Sequence, residues 1–260
     1  MSLVTIEIVE QVAVLKLNNP TALNAMSPEM ARALHETLEE AEKSARSILL
    51  TGEGRAFCSG AALGGGGGVG SDGGEFDAGA RLETHYNPMM LKLRALSIPI
   101  VTAVHGAAAG VGCSVALAGD LIVADQTAYF LQAFRNIGLV PDGGSPYLLA
   151  AAAGRVRAME AMLLGERISA ETAYNWGMIN RLAPEGKDFE VGFELAKKLA
   201  QGPRATLGLI RQLAWGALEK PFEEQLAAER ATQKIAGRTA ECREGVAAFL
   251  EKRKARFDTL

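Results

Sequence analysis

One carboxylate in an apolar stretch is the residue of this sequence best suited to proton transfer. Asp142 is the only acid in "RNIGLVPDGGSPYLL", residues 135 to 149, and no basic residue lies between Asn136 and Gly154. A carboxylate without a cation or N–H donors in such surroundings has a raised pKa, which suits a general base near neutral pH. The alternative is a simple turn, because Pro-Asp-Gly-Gly is ordinary turn chemistry.

Two stretches of small residues could supply hydrogen-bond donors for such a reaction. They are "GRAFCSGAALGG", residues 54 to 65, and "VHGAAAGVGCSVALAGD", residues 104 to 120, in which a strand leads to a helix that begins near Val111. Small residues let a ligand approach the main chain, and the free N–H groups of a helix's first turn stabilise a developing oxyanion. Tight strand-to-helix packing would require the same small residues.

The elements that must position these residues follow from hydrophobic periodicity. Residues 3 to 17 alternate around Glu10-Gln11, which predicts a hairpin. Ser27 and Pro28 are typical of a helix N-terminus, and an amphipathic helix should follow. Four further strands are predicted in "SILLTG", "PIVTAVHG", "DLIVAD" and "AYFLQA", with helical segments between them. Alternation of strands and helices indicates an α/β fold.

From about residue 145 onward, the sequence predicts helices only. Several of these segments end at Gly or restart at Ser, Thr or Pro. One of them, around Leu207 to Trp215, carries apolar residues on more than one face. That pattern is typical of a subunit interface, although core packing would also explain it.

Composition excludes several classes of protein. The chain has 260 residues, 48% of them hydrophobic, and a formal net charge of −3, which favours a globular protein and argues against nucleic acid as a partner. The three cysteines, Cys58, Cys113 and Cys242, have no metal-ligand spacing, so we expect no metal site and a reducing, cytoplasmic location. The N-terminus lacks a secretory pattern, and the uncharged run from residue 95 to 119 has too few large apolar residues to predict a membrane span.

The remaining candidate residues favour simpler interpretations. The glycine-rich segment 63 to 79 lacks the Gly-Lys-Ser/Thr ending of a phosphate-binding loop, and we interpret it as a flexible loop that could cover a pocket. Its acids and a nearby one should be solvated charges: Asp72, Glu75, Asp77 and Glu83. His105, on an apolar strand, is interpreted as a hydrogen-bonded core histidine.

An ordered set of motifs resembles the crotonase, or enoyl-CoA hydratase/isomerase, superfamily. The resemblance rests on "NNPTALNAMSPEM", "GRAFCSGAAL", "VTAVHGAAAGVGCSVALAGDLIVAD", "IGLVPDGGSPYLL", "GRVRAMEAMLLGERISAETAYNWGMINRL" and "AGRTAECREGVAAFLEKR", and it runs from near residue 3 to the C-terminus. It implies a spiral of ββα repeats over residues 1 to 200. Residues 201 to 260 would then form a helical region that packs on the core or on a neighbouring subunit in a homotrimer or a dimer of trimers.

The resemblance also implies the ligand and its contacts. The substrate would be an acyl-CoA thioester, with coenzyme A present only as part of it and no permanently bound cofactor. The backbone amides of Ala61 and Val111 would stabilise an enolate. The other implied substrate contacts are Ala22, Ala62, Leu63, Gly64, Gly110, Ser114 and Phe134.

Departures from the family's pattern narrow the reaction. Relatives that hydrate enoyl-CoA use two glutamates, at positions that here hold Ser114 and Phe134, and neither residue is an acid or base. The histidine of the dehalogenating relatives corresponds to Asn87, with His85 nearby. The chain also has Ala62 where the family usually has Asp.

Isomerases of the family keep one acid at the position of Asp142, and the sequence most resembles the ring-1,2-epoxyphenylacetyl-CoA isomerases. The prediction is a double-bond shift from a 3-enoyl to a 2-enoyl thioester, or in a ring-derived analogue, with Asp142 as base. Hydration by a non-standard acid and non-catalytic acyl-CoA binding remain alternatives.

Overall fold

The strands of the protein build two sheets, seen in a computed structural model that describes residues 2–62 and 77–259. In the described residues the strands are β1 (Val4–Val9), β2 (Val12–Leu17), β3 (Ser47–Gly52), β4 (Ile100–Val104), β5 (Ala107–Ala109), β6 (Leu121–Asp125), β7 (Tyr129–Leu131), β8 (Arg167–Ser169) and β9 (Arg181–Ala183). The larger sheet has the order β1-β2-β3-β4-β6-β9, and the smaller has the order β5-β7-β8.

The predicted hairpin is confirmed. β1 pairs antiparallel with β2 from Val4 opposite Leu17 to Val9 opposite Val12. The two residues between the strands, Glu10 and Gln11, have φ values of 48° and 66°. Positive φ at both turn residues matches the right-handed twist of the flanking strands.

Parallel pairing carries the sheet from β2 through β3, β4 and β6 to β9. All residues of β3 and β4 are buried, as expected for parallel strands covered on both faces. The carboxyl end of β4 continues directly into β5 of the smaller sheet, so the two sheets meet near His105 and Gly106.

Helices cover the sheets and fill the C-terminal part of the chain. The α-helices of the described residues are α1 (Pro28–Ser44), α2 (Asn87–Ala95), α3 (Val111–Leu117), α4 (Ser145–Ala153), α5 (Arg155–Leu164), α6 (Ala170–Asn175), α7 (Asp188–Ala200), α8 (Arg204–Ala217), α9 (Phe222–Ala236) and α10 (Ala240–Leu250). The predicted start of α1 is confirmed, because Pro28 is its first residue and the Ser27 hydroxyl accepts a hydrogen bond from the Met30 amide.

The prediction that strands end near residue 145 is wrong. β8 pairs antiparallel with β7, and β9 pairs parallel with β6. Each has three residues, which is too short to show alternation in the sequence, and each forms at the edge of a sheet that is already built. Tertiary pairing therefore decides these two segments.

The helices differ in burial along the chain. All seven residues of α3 are buried, whereas no residue of α9 is buried within this chain. The division at residue 200 between a core and a C-terminal region stays a prediction.

In the described part of the chain, no helix combines the length and the apolar character needed to cross a membrane.

Candidate active site

In the first small-residue turn, hydrogen bonds to the residues on either side of Ala61 fix its position. The Met26 amide donates to the Gly60 carbonyl at 2.7 Å, and the Ala62 amide donates to the Met26 carbonyl at 3.1 Å. This parallel bridge between Met26 and Ala61 uses the peptide groups on either side of Ala61. The N–H of Ala61 itself consequently points away from Met26, and Ala61 is exposed.

The second turn brings Val111 to the start of a buried helix. The Gly110 amide donates to the Leu131 carbonyl at 2.8 Å, which anchors the turn to the end of β7. Val111 follows as the first residue of α3, so its N–H belongs to the first turn of a helix and has no intrahelical acceptor. The sequence-based prediction of a helix beginning near Val111 is confirmed.

The two turns touch each other through glycines. A Cβ atom placed on Gly60 would lie 3.0 Å from the Ala109 carbonyl oxygen and 3.8 Å from the Gly110 Cα. Both glycines also have positive φ values, 106° at Gly60 and 52° at Gly110, which residues other than glycine rarely adopt. The amides of Ala61 and Val111 each follow one of these contacting glycines, so the fold brings the two predicted donors together.

Asp142 lies in a half-buried position after a short 3₁₀ helix, Ala133–Ile137. Its Oδ1 is closed off from solvent and has no hydrogen-bond partner among the described residues. Burial raises the pKa of Asp142 to about 6. The raised pKa that the sequence predicted is confirmed, and its physical cause is desolvation without compensating donors.

The backbone of Asp142, in contrast, is well held. Its carbonyl accepts hydrogen bonds from the Ser145 amide at 3.0 Å, the Ser145 hydroxyl at 2.8 Å and the Ser114 hydroxyl at 3.1 Å. A Cβ on the next residue, Gly143, would lie 3.0 Å from Ser114 Oγ and 3.1 Å from Val111 Cγ2. The loop of Asp142 is thus packed directly against the helix that carries the Val111 amide.

A cavity of about 330 Å³ opens beside this loop, and Gly143 and Gly144 form part of its wall. Its other lining residues are Asn87, Met90, Leu91, Arg94, Ala118, Tyr147, Leu148 and Trp215. The rings of Tyr147 and Trp215 are nearly parallel, at 8°, with centroids 6.4 Å apart. The cavity therefore offers flat aromatic and aliphatic surfaces next to the candidate base.

The other predicted contacts are distributed around the two turns. Phe134 is buried, and its Cζ would be 3.7 Å from a Cβ on Gly110. Ala22 is exposed, and its carbonyl accepts a 3.4 Å hydrogen bond from the Ser59 hydroxyl, two residues before Ala61. Ser114 is fully buried and is occupied with the Asp142 loop. Substrate contact by these residues stays a prediction.

Some predicted residues fall outside the described part of the chain. These are Leu63, Gly64, most of the glycine-rich segment, and the acids Asp72 and Glu75. Asp77 and Glu83 are described and exposed.

His105 is confirmed as a hydrogen-bonded histidine. Its Nδ1 lies 2.9 Å from Asp188 Oδ2 and its Nε2 lies 3.1 Å from the Gly54 carbonyl oxygen. Burial alone would lower its pKa, but the Asp188 carboxylate raises it above the ordinary value. Within residues 2–62 and 77–259, no group of three His, Cys, Asp or Glu side chains could hold a metal ion.

Sequence reasoning missed two buried residues that support the first turn. Asn24 donates from its side-chain amide to the carbonyls of Glu53 and Ala56, at 2.9 Å and 2.8 Å. Tyr86 donates from its hydroxyl to the Met26 carbonyl at 2.8 Å. Neither residue lies near the glycine turns in sequence: Asn24 lies inside the quoted motif "NNPTALNAMSPEM", and Tyr86 lies outside all the quoted motifs.

The geometry defines a class of protein: an α/β fold in which two glycine turns meet near one desolvated carboxylate and a mostly apolar cavity. A family model described as enoyl-CoA hydratase/isomerase matches residues 7–259. The chain belongs to this family, and the predicted family and crotonase fold are confirmed.

Three relatives illustrate the range of the family. The 1,2-epoxyphenylacetyl-CoA isomerase of Escherichia coli K12 is 42% identical over 248 residues, covering 95% of this chain and 94% of that protein. A Rhodobacter capsulatus protein named "Probable enoyl-CoA hydratase" is 41% identical over 252 residues, covering 96% of each chain. The crystal structure of an enoyl-CoA hydratase from Polaromonas sp. JS666 has a TM-score of 0.87 at 32% identity, covering 97% of this chain and 98% of that one.

Proposed function

We propose that this enzyme shifts a double bond in an acyl-CoA thioester, from the 3-enoyl to the 2-enoyl position or within a ring-derived analogue. The observation that carries the proposal is Asp142, a carboxylate of raised pKa whose Oδ1 has no partner among the described residues. One such group, beside two backbone donors, meets the needs of a reaction that removes and returns a single proton.

The reaction begins with the thioester carbonyl accepting hydrogen bonds from the Ala61 and Val111 amides. These donors stabilise the negative charge that develops on the carbonyl oxygen when the α-proton leaves. Asp142 takes the proton from C2, the electron pair delocalises into a dienolate, and Asp142 returns the proton to C4. The product is the conjugated 2-enoyl thioester, with no change in mass.

Hydration is less well supported, because it requires a positioned water molecule and a second proton-transferring group. The hydroxyl of Ser114 lies 2.6 Å from Ser145 Oγ and 3.1 Å from the Asp142 carbonyl oxygen, in a fully buried site. Phe134 has no group that could activate water. Hydration nevertheless remains the second candidate, since a relative with 41% identity carries a hydratase name.

The cavity beside Asp142 favours a planar or ring-bearing acyl group. The nearly parallel rings of Tyr147 and Trp215 both lie near the Arg94 guanidinium, and with the methionine and leucine side chains they give the cavity wall planar and apolar surface. The name of the Escherichia coli relative refers to such a ring-derived acyl group. We infer that this enzyme accepts similar substrates.

We also propose that the enzyme assembles as a homotrimer or a dimer of trimers. Helix α9 buries no residue within the chain, and it exposes large apolar side chains at Phe222, Leu226 and Ile235. A second subunit would remove this apolar surface from water. A monomeric mass in solution, measured by light scattering, would contradict this assembly.

The experiment that tests the proposed reaction compares two substrates. The purified protein is mixed separately with a 3-enoyl-CoA and a 2-enoyl-CoA, and the conjugated-thioester absorbance and the product mass are followed. New conjugation from the 3-enoyl compound without a mass change supports the isomerase. Addition of water to the 2-enoyl compound would instead establish a hydratase, and binding of both without any reaction would favour a non-catalytic acyl-CoA protein.

A further inference from the structure

A single carbonyl oxygen ties together the segment that presents the Ala61 amide. The Met26 carbonyl accepts the Ala62 amide at 3.1 Å and the Tyr86 hydroxyl at 2.8 Å. The Met26 amide donates to the Gly60 carbonyl at 2.7 Å. Ala61 is therefore held between two peptide groups that both bind Met26, and Tyr86 supplies the side-chain bond to that residue.

Tyr86 is itself rigidly placed. It is only 4% exposed and ends a π-helical turn, Leu82–Tyr86, that runs directly into α2. Asn87, the next residue, lines the cavity beside Asp142. Burial is the main cause that raises the pKa of Tyr86; the charge of Arg81 acts against this effect, and the negative charge of Asp142 adds to it. The Tyr86 hydroxyl thus binds Met26 beside the donor turn, and the residue that follows Tyr86 lines the cavity next to the Asp142 loop.

We propose that Tyr86 is a positioning residue for the oxyanion site, whose hydroxyl sets the direction of the Ala61 N–H by fixing the Met26 carbonyl. Preorganised donors act only when they point at the place where charge develops, and a small displacement lowers their effect. This inference rests on the proposed function of the Ala61 amide.

The test must separate positioning from mere folding, so it measures polarisation of the thioester directly. Cinnamoyl-CoA is a suitable probe, because its acyl chain has no γ-hydrogen and cannot undergo the proposed isomerisation. Hydrogen bonds to its carbonyl move the absorbance of the conjugated system to longer wavelength. The probe therefore reports on the donors without undergoing the proposed isomerisation, and a loss of its conjugated absorbance would reveal hydration instead.

The central variant is Tyr86→Phe, which removes one oxygen atom. We expect a smaller red shift of bound cinnamoyl-CoA, and a roughly tenfold lower kcat with little change in KM, which is less than the 10²–10³-fold cost of losing a donor outright. Tyr174→Phe is the matched control, since Tyr174 is 49% exposed on α6, and it should leave both quantities unchanged. Asp142→Asn should lower kcat by about 10³-fold and retain the red shift.

A Tyr86→Phe protein with the full red shift would overturn the proposal, whatever its kcat. If this variant does not fold, 4-fluorophenylalanine at position 86 fills the space of the hydroxyl without a proton to donate, and the same two outcomes decide. A wild-type protein that shifts the probe and does not isomerise a 3-enoyl-CoA contradicts the proposed reaction alone. A wild-type protein that binds the probe without any shift contradicts both the donors and the role of Tyr86.

Discussion

Two aspartates of this protein, Asp125 and Asp142, differ in the hydrogen bonds that their carboxylates accept. Asp125 ends β6 and is 2% exposed, and its Oδ1 accepts from the Thr127 amide at 2.8 Å, the Thr127 hydroxyl at 2.6 Å and the Ala128 amide at 3.1 Å. Its Oδ2 accepts from the Gly186 amide at 2.9 Å. Asp142 is less deeply buried, yet its Oδ1 has no donor among the described residues.

The difference separates a structural carboxylate from a chemically available one. The carboxylate of Asp125 accepts hydrogen bonds from both the β6–β7 turn and the segment before α7, and so it joins them. A buried charge needs such hydrogen bonds to be stable. At Asp142 the backbone carbonyl receives the hydrogen bonds, and the carboxylate Oδ1 receives none from the residues that the structure describes. The fold therefore fixes the position of Asp142 while leaving its side chain free to bind a proton.

The largest expected effect is the loss of activity in Asp142→Asn. This variant keeps the shape of the side chain and cannot accept a proton, so we expect kcat on a 3-enoyl-CoA to fall by about 10³-fold. In the wild type, kcat/KM should rise as the pH increases through about 6, because the base must be ionised. Stopped-flow absorbance of the conjugated product measures both, and an unchanged rate in the variant would refute the assignment of the base.

The second prediction removes one of the two donors. Val111→Pro deletes the N–H at the first position of α3, where a helix accepts proline, and should lower kcat by roughly 10²–10³-fold. Arg155→Pro is the matched control, because Arg155 is the first residue of α5, outside the cavity. Equal losses of activity in the two variants, with equal thermal stability, would contradict the oxyanion role of Val111.

Sequence patterns predicted the central elements because their signals are local. The hairpin turn at Glu10-Gln11, the Ser27 cap and the buried strands β3, β4 and β6 all follow from periodicity and turn chemistry. The strands β8 and β9 were missed because three residues carry no periodicity and pair only with strands that are distant in sequence.

At the site, the glycine turns and Asp142 could be found from residue type and motif. Tyr86 and Asn24 could not, because each acts through a hydrogen bond to a carbonyl far away in the chain. Substrate contact by Ser114 stays a prediction from the resemblance, and the structure adds a hydrogen bond from its hydroxyl to the Asp142 carbonyl that the sequence did not predict. Such roles depend on where side chains point after folding, which neither periodicity nor spacing specifies.

The third prediction concerns the structural aspartate. Asp125→Asn places an amide among N–H donors and removes charge-assisted hydrogen bonds, so the free energy of unfolding should fall by about 2 kcal/mol. Urea titration monitored by circular dichroism measures the loss. The folded variant should isomerise a 3-enoyl-CoA at the wild-type rate, and a selective loss of kcat would break the distinction between the two aspartates.

The smallest expected effect has the opposite sign and concerns Asp142 again. Its folded-state pKa of about 6 lies above the ordinary 3.8, so the ionised side chain opposes folding. The cost is absent below pH 4, grows between pH 4 and 6, and is complete at pH 7. The difference between the two pKa values corresponds to about 3 kcal/mol, which partial exposure of the side chain reduces to about 1 to 2 kcal/mol.

Asp142→Asn should therefore raise the free energy of unfolding by about 1 to 2 kcal/mol at pH 7 and by much less at pH 4. Urea titrations of both proteins at the two pH values measure the difference, and equal stabilities at pH 7 would mean that the carboxylate is not desolvated.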